Sequence, residues 1–231
     1  MKTLWVLMSV IQLMFAYSPQ AGNIDEDNNI RTFQYSLEAG YSWKATSAGS
    51  GMYQADNRIY MSNDRGISWH KLSDSLSGTL PSGPIGDLKF KTKDTGWITI
   101  HSPRQGDIGL YKTTDGGIHW AKEQLEVPSK YASVQFNPSS PIFFTSTNYG
   151  IVLLNEIGLL NEEGQTETSL LFYATQDNGR HWTPIMDRPE GQWNGLSWKA
   201  SLDQKSASYS WSITIGDRTW TSSNGEIWSM N

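Results

Sequence analysis

Cysteine is missing from this 231-residue chain, which removes disulfides and thiolate chemistry but does not assign a redox compartment. Charge is scarce as well. Only 18% of residues are charged, for a net −5, so the basic footprint of a nucleic-acid binder is lacking. No Walker-type or dinucleotide fingerprint appears. The four histidines, His70, His101, His119 and His181, offer no i, i+2 or i, i+4 pair that would suggest zinc. No capped helical period competes anywhere beyond residue 22. The expectation is no cofactor, no metal and no nucleic-acid partner.

Long apolar runs are missing too. The longest, Leu4 to Ala16, has 13 residues and stops short of the about 20 a spanning helix needs. With Lys2 before it and Ser18-Pro19-Gln20-Ala21-Gly22 after it, residues 1–22 read as a signal peptide. We therefore expect a secreted, extracytoplasmic protein without a membrane span. Asn23 to Asn29 is polar and acidic, a linker rather than a calcium loop, because ligand spacing and a turn glycine are missing.

Tryptophan is what the chain has in excess, with eleven residues. Three of them end the same eight-residue pattern: Ser62-x-Asp64-x-Gly66-x-x-Trp69, Thr113-x-Asp115-x-Gly117-x-x-Trp120 and Thr175-x-Asp177-x-Gly179-x-x-Trp182. A weaker copy, Thr221 to Trp228, keeps Gly225 but has Ser223 where the acid should stand. Hydroxyl and carboxylate can cap backbone N–H groups inside such a turn. The glycine supplies a positive φ, and the ring buries a large apolar area. The carboxylates lie 51 and 62 residues apart, one to each turn, so turn capping explains them better than a shared metal.

These motifs resemble the Asp-box (BNR) repeat family, whose repeats sit in β-propellers, including sialidases and photosystem II assembly factors. The resemblance implies an all-β fold, a small β-propeller of about four four-stranded antiparallel blades with box turns between strands c and d. Spacings between box Trp residues of 51, 62 and 46 suit blades. A Tyr lies nine residues before each full-box Trp, in Ile59-Tyr60-Met61, Leu110-Tyr111-Lys112 and Phe172-Tyr173-Ala174, which read as strands c. Gly40-Tyr41-Ser42-Trp43-Lys44-Ala45 matches Gly195-Leu196-Ser197-Trp198-Lys199-Ala200. Both read as first strands, and the box-like Ser36 to Trp43 is a decoy. Leu88-Lys89-Phe90 with Gly96-Trp97, and Val134-Gln135-Phe136 with Ile142-Phe143, read as strands a and b of the middle units.

The units fall at about 38–76, 83–128, 129–190 and 193–231, after an acidic linker and possible closing strand over 23–37. An incomplete ring would open the possibility of a dimer.

The resemblance places box turns at the end away from the b–c and d–a connections, where propeller ligands usually bind. The third b–c connection is the longest, at about Tyr149–Glu167. It carries Glu156, Leu159, Leu160, Glu162 and Glu163, which form one binding candidate. Arg188, Glu190 and Trp193 in the following d–a connection form another, with Trp193 able to stack on a sugar. Sialidases need three clamping arginines, a Tyr–Glu nucleophile pair and an Asp acid/base, together with an Arg-Ile-Pro-type motif. That motif is absent here, and Arg58, Arg65, Arg180 and Arg218 fall on strands c or in box turns. The expectation is a secreted, non-catalytic binding or scaffolding module for an extracellular protein or glycan. The alternative is a sialidase-like carbohydrate-active enzyme.

Overall fold

The computed structural model describes residues 23–25, 30–49, 54–101, 104–154, 157–160, 166–203 and 208–231. The expected signal peptide and the loop residues Glu156, Glu162 and Glu163 lie outside them. The alternating stretches fold as antiparallel strands grouped into four blades. Blade 1 holds β1 (Asn23–Asp25), β2 (Ile30–Ser36), β3 (Ser42–Ala48), β4 (Asp56–Ser62) and β5 (His70–Asp74). Blade 2 holds β6 (Ile85–Phe90), β7 (Gly96–Ile100), β8 (Leu110–Thr113) and β9 (Ala121–Lys122). Blade 3 begins with β10 (Ile142–Phe143) and β11 (Gly150–Leu153). It is then interrupted by a separate hairpin, β12 (Ile157–Leu160) and β13 (Thr166–Ser169), and resumes with β14 (Leu171–Thr175) and β15 (Thr183–Met186). Blade 4 holds β16 (Glu190–Trp193), β17 (Leu196–Asp203), β18 (Ser208–Ile215), β19 (Arg218–Ser222) and β20 (Ser229–Met230).

Three strand assignments differ from the sequence reading. Ile30–Ser36 is not a closing strand: it is strand a of blade 1 and pairs along β3 from Ile30↔Ala48 to Ser36↔Ser42. The Ser42 strand is therefore strand b, whereas its sequence match Leu196–Asp203 is strand a of blade 4. In blade 3, strand a is Ile142–Phe143 and strand b is Gly150–Leu153, one strand later than read. The reason is packing of a ring against a glycine. Phe143 pairs with Gly150 as Phe90 pairs with Gly96, and a Cβ on either glycine would fall within 2.8 Å or less of the ring.

Each full box turn is closed by its own side chains. Thr113 Oγ1 donates to Asp115 at 2.8 Å and accepts from Gly117 N at 2.9 Å. Asp115 Oδ1 in turn accepts from Ile118 N and His119 N at 3.1 and 3.0 Å. The Ser62 and Thr175 turns repeat this pattern. Two consecutive residues take positive φ: Arg65 and Gly66, Gly116 and Gly117, Asn178 and Gly179. The fourth turn is one residue shorter. Its hydroxyl is Ser222, which accepts from Gly225 N at 2.9 Å, and Asn224 takes the acid's place by accepting from Glu226 N and Ile227 N. Thr221 and Ser223 do not play those roles. Deleting the residue between acid and glycine shifts the motif by one position.

The box glycine and Trp press against the preceding blade. A Cβ on Gly117 would meet Leu72 and Ile59 of blade 1, one on Gly179 would meet Trp97 of blade 2, and one on Gly225 would meet Leu153 of blade 3. Gly66 meets only its own Trp69. Three apolar clusters accordingly fill three seams between successive blades. Among the described residues no fourth cluster joins blade 4 to blade 1. The outward faces of these end blades are polar. Thr46 and Arg58 line one, where Lys44 sits over the rings of Tyr60 and Trp69. Ser197, Lys199, Ser212, Thr214 and Thr221 line the other. Hydrated outer faces are what end units of a stacked array require.

Candidate functional site

Among the described residues expected to bind, Arg188, Glu190 and Trp193 lie on or beside β16, and Leu159 and Leu160 lie in the separate β12–β13 hairpin. Leu159 and Leu160 pair with Glu167 and Thr166 in the β12–β13 hairpin. Arg188 and Glu190 are exposed, and the Arg188 carbonyl accepts from Trp198 Nε1 at 2.9 Å. Trp193 is half-buried against the third cluster. Asp187, at the same end, is engaged by Lys130, Tyr131 and Ser169 at 2.8, 2.9 and 2.6 Å.

The larger cleft described, about 520 Å³, opens instead at the box-turn end. It lies where strand d of blade 2 faces the third box turn, at the outer end of the second seam. Lys112, His119, Glu123, Arg180, His181 and Trp182 contribute to its lining. Local turn chemistry fixes these groups. His119 Nδ1 and His181 Nδ1 lie 2.7 and 2.6 Å from Asp115 Oδ2 and Asp177 Oδ2. Each imidazole therefore presents its other nitrogen outward. Burial alone would raise the Asp115 carboxyl, but the His119 N–H, the His119 ring and the Thr113 hydroxyl together hold it down at about 2. Asp177 is lowered by the corresponding set. The Arg180 guanidinium has no partner among the described residues.

Lys112 creates the cleft's inner wall. It occupies the strand-c position directly before the box hydroxyl, where blades 1 and 3 have Met61 and Ala174. Its ammonium reaches the Gly179 carbonyl at 2.8 Å and Glu123 at 3.3 Å. In blades 2 and 4 the corresponding carbonyl, of Gly117 or Gly225, accepts from the box Trp Nε1 at 3.1 and 2.9 Å. Here the Trp182 Nε1 is buried without a partner. The sequence held one signal for this site, the triplet Met61, Lys112, Ala174 at matched positions.

Among the described residues no sialidase-type constellation forms. Of the arginines, Arg31 and Arg58 stand on blade 1 and Arg218 on blade 4, while Arg104 and Arg188 lie at the end opposite the box turns. Arg180 alone contributes to the cleft. No group of three metal-ligating side chains forms among the described residues.

No family model and no curated protein matches the chain. Among solved structures it is similar to the α-L-arabinofuranosidase Arb93A from Fusarium graminearum, in complexes with an iminosugar inhibitor. A point mutant is 13% identical, with 90% of this chain and 67% of that chain covered at a TM-score of 0.44. A second complex is 14% identical, with 89% and 66% covered at a TM-score of 0.42. The chain thus spans about two thirds of the length of those enzymes.

Proposed function

We propose that this chain is a secreted, non-catalytic Asp-box propeller module that binds a glycan, and that it does so in the cleft at the second seam. The carrying observation is the cleft itself. The Trp182 indole, two turn-fixed imidazoles, an unpaired guanidinium and the Lys112–Glu123 pair line one open groove. Sugars are bound by such combinations of an aromatic ring with hydrogen-bonding groups of both polarities. The carboxylates argue against hydrolysis. A general acid must hold its proton near neutral pH, whereas Asp115 sits at about 2 and Asp177 is also lowered. Glu123 is committed to Lys112.

A glycan array on the full chain, followed by calorimetry on the best ligand, tests this reading. Arg180→Ala and His181→Ala, both at exposed positions, should each weaken binding by about tenfold, roughly one hydrogen bond to a charged group. Deleting residues 156–164 should leave affinity unchanged, because the described residues that line the cleft come from 112–124 and 180–182. Silence across the array, or loss of binding only on the loop deletion, would overturn it.

A further inference from the structure

The second seam has an inner end as well, and it is a different place from the glycan cleft. There, the first strands of blades 1 to 3 leave a cavity of about 200 Å³. Leu37, Phe90, Trp97 and Phe143 form its apolar walls, and Lys89 and Lys91 line it with them. The two lysines stand two residues apart on or beside β6, so their side chains leave the same face. Lys91 Nζ lies 3.9 Å over the centre of the Phe143 ring and donates to Asn178 Oδ1. Lys89 has no hydrogen bond or ion pair among the described residues.

Burial lowers the pKa of both ammoniums, and Lys112 adds to the effect at Lys91. Against Lys89 only Asp87 pulls the other way. Two partly desolvated cations thus share a half-open apolar pocket without a carboxylate bonded to either among the described residues. Such an arrangement is unfavourable until an anion joins it. The pocket's volume is enough for one aromatic ring.

We propose that this cavity is a binding site for a small organic carboxylate whose apolar body is about one ring in size, its charge held by Lys89 and Lys91 and its body by the Trp97 and Phe143 walls. The two parts of the claim separate cleanly with three probes. Phenylacetate carries both features, benzyl alcohol keeps the ring without the charge, and inorganic phosphate keeps charge without the ring.

Calorimetry and thermal melting on the full chain should show phenylacetate binding and stabilising, with the other two at least about tenfold weaker. Lys89→Met should abolish the preference for phenylacetate over benzyl alcohol, while Lys89→Arg, which keeps the charge and controls for folding, should retain it. Equal binding of benzyl alcohol or phosphate would overturn the proposal. So would absence of phenylacetate binding, or a Lys89→Met variant that folds and binds as the parent does.

Discussion

The first and second seams are built from the same parts and finished differently. In the first, Trp43 stacks on Phe90 with ring centres 3.8 Å apart and 10° between planes, and its Nε1 donates to Gly116 at 2.8 Å. In the second, Trp97 meets Phe143 at 5.1 Å and 42°, and its Nε1 finds no acceptor. The box Trp of the first seam, Trp120, is satisfied by Gly117, whereas Trp182 has lost Gly179 to Lys112. Both cavities described lie along the second seam. The first seam satisfies both indoles, and the second leaves two buried indole N–H groups unpartnered, one of them where Lys112 takes the Gly179 carbonyl. A repeat of the same parts therefore leaves the second seam, and not the first, with unpartnered buried indoles.

Emptying each seam should give the largest contrast between them. Trp43 and Trp97 are 1% and 0% exposed, so transfer and cavity terms alone predict similar losses. We expect Trp43→Ala to cost about 4–5 kcal/mol and Trp97→Ala about 3 kcal/mol. The gap comes from one hydrogen bond, ~1 kcal/mol, and one better ring pair, ~0.5–1.5 kcal/mol. Urea unfolding measures both; an equal or larger loss at Trp97 would remove the distinction.

A smaller effect tests whether box glycines latch blades together. Gly179→Ala, at φ +79°, would put a Cβ 3.1–3.3 Å from the rings of Trp182, Phe143 and Trp97. Gly66→Ala, at φ +86°, meets Trp69 alone. The left-handed backbone costs each about 1–2 kcal/mol, and overpacking adds about 1–3 kcal/mol at Gly179. Similar melting temperatures for the two variants would show that the turns do not bear on the preceding blade.

How much of this was readable follows from how local each feature is. The three full turns could be read because hydroxyl, acid, glycine and ring lie within eight residues and bond to one another. The fourth allowed two registers in the same letters, and only the hydrogen bonds choose Ser222 and Asn224 over Thr221 and Ser223. Strand order in blade 3 turned on which phenylalanine faces a glycine across the sheet, a contact between strands that alternation cannot reveal. The cleft was hidden for a further reason. Lys112 is an ordinary alternating residue within its own strand, and its meaning depends on which blade that face meets.

Changing that residue is the next test in size. Lys112→Met gives the second seam the residue that Met61 gives the first and frees the Gly179 carbonyl for Trp182. Glu123 loses its partner, which offsets part of the gain. We expect about 1 kcal/mol of added stability, a rise of roughly 2–4 °C in Tm, together with weaker glycan binding. A fall in Tm would mean that the ammonium holds the seam together.

Acid separates the seams most finely, because their latches titrate and the third seam's does not. The Asp115 carboxyl is depressed from 3.8 to about 2 in the folded chain, so between those values the unfolded chain binds more protons. Stability contributed by the turn is therefore present above about 4 and is lost as pH falls toward 2. Asp177 is lowered in the same direction. Asn224, in the fourth turn, has no proton to gain there and keeps its bonds to Glu226 and Ile227. Amide exchange should thus speed up over residues 113–120 and 175–182 as pH drops through this window, relative to intrinsic rates, while 222–228 holds. Because these side chains are 39% and 32% exposed, solvent screening keeps the effect to a fraction of a kcal/mol. Uniform loosening of all the turns would instead trace acid sensitivity to the blades themselves, and Asp115→Asn, which makes the second turn resemble the fourth, should remove the response from its own seam alone.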